Sequence, residues 1–198
     1  MFDYSAGRKS LAGAIHAFPA LVTIFTIGHS TRGLSELLDL LREYGIATLC
    51  DVRRFPGSRR HPHFSRESLE ASLSAGGIGY LHLESLGGRR KTSPDSPNLM
   101  WRNESFRGYA DHMATTTFHS GIAALLDAPQ PAAIMCAEAV PWRCHRNMIA
   151  DELTRRGIEV GHILGAASTQ LHTINPGAVD TGQHLIYPAP GQQTLRFS

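Results

Sequence analysis

AAIMCAEAVPWRCHRNMIADELTRRGIEVGHIL, residues 132–164, decides how the rest of the chain is read. Ala132 to Cys136 is an apolar run of strand length. After Glu138 and Pro141 a helical pattern carries Trp142, Ile149 and Leu153 and stops at Gly157, and a second strand-like run covers Ile158 to Leu164. Strand, loop, helix, strand is the resulting order. The loop collects Cys136, Glu138, Arg143, Cys144, His145 and Arg146 within eleven residues, more reactive side chains than a connection requires. In an open parallel α/β sheet, ligands sit beyond the carboxyl ends of strands, where this loop would lie.

The same alternation extends upstream. Val22 to Ile27 predicts a strand ending at Gly28-His29-Ser30, and Leu34, Leu37, Leu38 and Leu41 recur at helical spacing before Gly45. Ile46 to Val52 predicts a second strand that delivers Asp51 and Arg53 into RRFPGSRRHPHF, where Pro56, Gly57 and Pro62 forbid a regular helix. Ser65 predicts an N-cap, with Phe64 and Leu69 as a hydrophobic staple, for a helix from Arg66 to Ala75. Tyr80 to Leu83 predicts a third strand. Leu86 to Trp101 predicts a surface loop or lid. Phe106, Tyr109, Ala110 and Met113 restore helical spacing and Ile122, Leu125 and Leu126 continue it, with Thr115-Thr116-Thr117 bending or dividing the helix. Beyond Leu164 the chain turns polar, with Gln183 to Tyr187 as one edge strand. The expected fold is α/β, a three-layer, mostly parallel doubly wound (Rossmann-like) sheet of about five strands flanked by helices. Residues 22–164 form its single domain, 165–198 a C-terminal extension, and 1–21 a disordered leader or the product of a start site assigned too far upstream.

Composition narrows the function classes. The 198 residues are 42% hydrophobic and 18% charged, an ordinary soluble globule with room for a core. Three cysteines with no close CxxC pair favour a reducing cytoplasm. No apolar run approaches the ~20 residues of a membrane span. A net charge of +2 excludes bulk affinity for polyanions, yet residues 51–66 alone carry five arginines against one aspartate. The basic loop therefore suits a local anion site.

The motifs TIGHST (Thr26 to Thr31), DVRRFPGSRR (Asp51 to Arg60), HPHF (His61 to Phe64), YLHLESLGG (Tyr80 to Gly88), FRGYADHM (Phe106 to Met113) and CAEAVPWRCHR (Cys136 to Arg146) occur in this order. Together they resemble the domain-of-unknown-function 488 family. The resemblance implies a compact, usually cytoplasmic α/β protein and carries no established reaction.

Independently of the resemblance, the strand ends converge. His29 and Ser30 follow the first strand, Asp51 and Arg53 the second, Glu84 the third, and Cys136 and Glu138 the fourth. A parallel sheet brings them to one rim. Arg143 and Arg146 fall in the first turns of the helix after Pro141, where the positive helix end disfavours a cation by roughly 0.3–1 kcal/mol. A bound anion removes that conflict, so Arg53 and Arg146 are expected to hold phosphate or carboxylate, with Ser30 and His145 beside them. Glu138, Asp51 and His29 are the expected proton-handling groups. Cys144, near a helix start and two arginines, is the expected thiolate, and Cys136 a small buried hydrophobe. Neither sulfur is followed by a loop of amides that could cradle an anion, which disfavours covalent phosphatase-like chemistry. Zinc held by Cys136, Cys144 and His145 is a minor alternative, because adjacent helix residues diverge by about 100°; otherwise no cofactor is expected. Two functions follow: a small enzyme for a phosphate-bearing or other anionic ligand, or a noncatalytic nucleotide or nucleic-acid binding module using loop 53–66.

Overall fold

The computed structural model of the protein describes residues 23–57 and 61–191. The expected leader, and Arg59 and Arg60 of the basic loop, lie outside the described residues. Five strands run parallel in the order β3-β2-β4-β1-β5: β1 (Thr23–Gly28), β2 (Thr48–Asp51), β3 (Gly79–His82), β4 (Ala132–Cys136) and β5 (Glu159–Gly165). Five helices connect them: α1 (Leu34–Glu43), α2 (Arg66–Ala75), α3 (Glu104–His112), α4 (Thr116–Asp127) and α5 (Arg146–Arg155).

The helices sort to two faces because strand residues alternate. Phe25, Ile27, Leu49, Ala133 and Met135 face one way, into a cluster with Leu37 and Leu41 of α1 and Leu69 and Leu73 of α2. Ile24, Cys50, Ile134 and Cys136 face the other way, into a cluster with Tyr109 of α3, Phe118 and Ile122 of α4, and Met148, Ile149 and Leu153 of α5. The central strands have no polar face, as a sheet covered on both sides demands. This is the expected three-layer, doubly wound α/β fold. Neighbours β1 and β4 send their following helices, α1 and α5, to opposite faces, which opens a crevice at their carboxyl ends.

Local signals explain the element limits. Ser65 caps α2 by accepting from the Ser68 amide at 3.4 Å, and Thr115 caps α4 by accepting from the Phe118 amide at 3.2 Å. Thr115 thus divides the helical stretch by capping, and branched-residue crowding is not needed to explain the break.

The structure departs from the sequence reading in three places. Trp142 does not belong to the helix: it lies in a 3-10 turn, Pro141–Arg143, 58% exposed, and α5 begins only at Arg146. Past Leu164 the main sheet gains a sixth strand, β6 (Ser168–Leu171), antiparallel to β5 and exposed throughout. The expected edge strand at 183–187 instead forms a separate two-residue ribbon, β7 (Val179–Asp180) with β8 (Leu185–Ile186). Nor does the irregular stretch before α3 hang free. Asp111 accepts from the Ser93 amide at 2.8 Å, the Ser96 hydroxyl at 2.6 Å and the Asn98 amide group at 2.8 Å. Asn98 in turn accepts from the Tyr187 amide at 2.8 Å, so the tail buckles this loop to the body.

Candidate active-site cleft

β4 ends at Cys136, and its ladder with β1 continues into the loops: the amides of His29 and Ser30 donate to the carbonyls of Cys136 and Ala137, each at 3.0 Å. Gly28 makes this approach possible. A Cβ there would collide with the Glu138 carbonyl oxygen and stand 2.8 Å from Nη1 of Arg146. The chain then turns at Pro141–Arg143, where the Cys144 amide closes on the Pro141 carbonyl at 2.9 Å. That turn returns Cys144 to the end of β4, and Cys136 and Cys144 line one cleft.

A cleft of about 320 Å³ opens over these sulfurs. Arg53, Arg54 and Phe55 reach it from the β2 loop, Gly88 and Arg89 from the loop after β3, and Cys136, Glu138, Cys144 and His145 from the β4 loop. Arg53 and Glu138 therefore share one hollow, as convergence at a single rim requires.

The arginines divide by role. Arg53 is 8% exposed and its donors are engaged: Nε to Asp51 at 2.9 Å, Nη2 to Asp51 at 2.5 Å, and Nη1 to the Phe64 carbonyl at 2.8 Å. Asp51, 0% exposed, also accepts from the Tyr80 hydroxyl at 2.9 Å. Asp51 and Arg53 form a buried ion pair that shapes the cleft wall. Arg54, by contrast, gives Nη1 to the Arg89 carbonyl at 2.7 Å and lies 5.6 Å from the centre of the exposed Phe55 ring. Arg89 is exposed and held at φ 57°, a left-handed conformation that costs a non-glycine residue roughly 1–2 kcal/mol. Such strain at a cleft lip points to a functional constraint.

Arg146 is 1% exposed at the first position of α5. Its Nη2 donates to the Ala139 carbonyl at 2.8 Å, while Nε and Nη1, both buried, have no hydrogen-bond partner. An under-satisfied buried cation is costly unless an anion sits near it. Burial acts to raise the Cys136 thiol, but the thiol of Cys144, the charge of Arg146 and the Glu138 backbone together bring it below its ordinary value. Burial and the neighbouring Cys136 sulfur push Cys144 well up. Burial and the Cys136 sulfur thus oppose the expected Cys144 thiolate, and Cys136 is the sulfur whose surroundings draw it downward. The helix start does touch Cys144, whose sulfur accepts from the Arg146 amide at 3.5 Å, but burial outweighs it.

His145 donates Nε2–H to the Val52 carbonyl at 3.1 Å, because a carbonyl only accepts. Nδ1 is left bare, 3.6 Å from the Cys144 sulfur. Burial, partly offset by the Val52 carbonyl, lowers this imidazole to about 4. His29 is 4% exposed, stacked 4.3 Å from Phe64, and does not line the cleft. Its Nδ1 faces the Ser30 carbonyl at 3.1 Å, and burial with the charge of Arg53 lowers it to about 4. Ser30, at φ 46°, serves through its amide at the β1–β4 junction. Glu138 is exposed at the mouth. Among the described residues no three His, Cys, Asp or Glu groups are gathered as a metal site would need.

Sequence reasoning passed over Arg54, Phe55 and Arg89 as cleft residues. The signal for Arg89 was its place after Gly87-Gly88, where a basic side chain leaves a tight turn.

Fold and cleft together define a doubly wound α/β protein with a basic, thiol-bearing crevice at its strand ends. The chain belongs to the family described as Domain of unknown function DUF488, whose model matches residues 33–153. No curated protein and no solved structure matches it.

Proposed function

We propose that the protein is a small cytoplasmic enzyme that binds an anionic, phosphate-bearing molecule in this cleft. The observation that carries the reading is the contact of Arg54 with the Arg89 carbonyl in a cleft that Glu138 and the two sulfurs also line. Arg54 and Arg89 contact the ligand, Arg53 fixes the wall, and Glu138, the exposed carboxylate at the mouth, exchanges protons with it. Among the described residues no helix is long and apolar enough to cross a membrane.

Phe55, 63% exposed beside Arg54, supports a second reading in which a base stacks at the rim and the loop binds nucleotides or nucleic acid without turnover. Calorimetric titration with pyrophosphate and with a nucleoside monophosphate tests both. Arg54→Ala with Arg89→Ala is expected to weaken binding at least about tenfold, roughly 1.4 kcal/mol. Arg89→Gly is expected to weaken it too, while the melting temperature holds or rises because the left-handed cost disappears. Undiminished affinity in the double variant would end the anion reading. Retention of binding in Glu138→Gln with loss of any turnover favours the enzyme, whereas a steep salt dependence carried by several arginines, indifferent to Glu138, favours the module.

A further inference from the structure

We propose that Cys136 and Cys144 form a redox-active dithiol, and that the cleft reduces small disulfides by thiol–disulfide exchange with Cys136 attacking and Cys144 resolving. The two residues are eight positions apart in sequence, yet the 3-10 turn at Pro141–Arg143 returns the chain to the end of β4, so that both sulfurs line the same cleft. Three independent features fit the two sulfurs to different tasks.

Arg146 supplies the first. Two of its guanidinium nitrogens are buried without partners, and its charge acts on Cys136. A Cys136 thiolate gives this cation a counter-charge inside the protein, which resolves the cost of burying it alone. His145 supplies the second. The Val52 carbonyl fixes its proton on Nε2, so Nδ1 faces the Cys144 thiol as a bare acceptor. Cys50 supplies the third by contrast: it is fully buried, raised to about 12 by burial and Asp51, and does not line the cleft. The one cysteine outside the cleft is built to be inert.

The exchange balances without any group beyond the substrate. The Cys136 thiolate attacks one sulfur of R–S–S–R, the S–S bond breaks, and RS⁻ leaves to take a proton from water. Cys144 then passes its proton to His145 Nδ1 and attacks the Cys136 sulfur of the mixed disulfide. The second RS⁻ leaves and collects that proton, and the protein holds a Cys136–Cys144 disulfide. Two electrons have moved from the dithiol to the substrate, and a cellular thiol restores the protein by the reverse exchange.

The inference rests on the sulfurs and Arg146, not on the anionic-ligand reading, and its test separates the two. Reduced full-length protein is treated with oxidised glutathione, a disulfide of negative charge, or with cystamine, one of positive charge. Free thiols are alkylated and located by mass spectrometry over time. In the wild type, Cys136 and Cys144 are expected to disappear together into an internal disulfide, at least about tenfold faster than Cys50 reacts, with no retained adduct. Cys144→Ser is expected to keep one glutathione on Cys136. The comparison of Cys136 with Cys50 inside one wild-type molecule needs no variant to fold. Equal rates at Cys136 and Cys50, or a wild type that accumulates a stable mixed disulfide, would overturn the proposal. If both probes exchange at the same rate, the dithiol stands and the anionic-ligand reading falls; preference for glutathione disulfide supports both.

Discussion

Arg53 and Arg54 are adjacent in sequence, but one turns its guanidinium inward to Asp51 and Phe64 and the other outward to the cleft mouth. The inward fork is bidentate, a geometry that a lysine ammonium cannot reproduce. Arg53→Lys is therefore expected to lower stability by about 3 kcal/mol, because Asp51 remains buried with its partner misplaced. Arg54→Lys is expected to stay within about 0.5 kcal/mol of wild type. Urea unfolding of the two variants checks the contrast, and equal midpoints would show that the inward pair carries no structural weight. Residue order marked the arginine run as a candidate anion site, yet it could not say which arginine finds a buried carboxylate. Tyr80 and Phe64, which complete the Arg53 and Asp51 environment, come from 29 residues after Asp51 and 11 residues after Arg53. Tyr80 is set by the β2–β3 register and Phe64 by the 3-10 turn before α2. The same holds for the sulfurs: helix-start logic pointed to Cys144, and only the folded turn revealed that burial decides against it.

At the level of elements, α3 holds the far wall of the cleft. Tyr109 donates its hydroxyl to the Leu86 carbonyl at 2.8 Å, His112 meets the Ser85 carbonyl at 2.7 Å, and the chain at Arg90 and Lys91 runs directly over Gly108. Alanine at position 108 would gain about 1 kcal/mol of helix propensity over glycine. Its Cβ, however, would press on the Arg90 carbonyl and stand 2.7 Å from the Lys91 carbonyl carbon. Steric conflict with backbone is expected to win, costing about 1–3 kcal/mol as overpacking does. Gly108→Ala should melt lower than wild type and, if the cleft binds the proposed anion, bind it more weakly, since Arg89 adjoins the displaced segment; a raised melting temperature would contradict this. Elements of this kind were legible where a pattern marked them. The apolar run of β4 and the Ser65 cap of α2 were read with their limits intact. β6 was missed because Ser168 to Leu171 is exposed on both faces, so no alternation of apolar and polar residues announces it. What creates that strand is the free border of β5, a tertiary property.

Across the whole molecule, buried imidazoles tie stability to acidity. His29, His145 and His162 are each lowered to about 4, burial being the largest cause in every case. The unfolded chain takes up these protons near the ordinary value of about 6.5. Above that value both states are neutral and stability is full. As pH falls from about 6.5 toward 4, the unfolded state binds more protons and stability drops, by up to about 1.4 kcal/mol per pH unit for each histidine. Chemical denaturation between pH 7.5 and 4.5 is expected to show this decline below about 6.5 with proton uptake on unfolding, and a flat profile would refute it. His162 sits within a chain of contacts from Thr26 through His172 to Asp151 and Tyr187, so protonation there loosens the C-terminal buckle as well as the core.

The sheet borders carry a last consequence. β3 and β6 are only four residues long, and β6 presents Ser168, Thr169 and Gln170 to solvent. Two stubby margins give a neighbouring molecule little backbone to zip onto. Concentrated solutions should accordingly resist fibre-like growth.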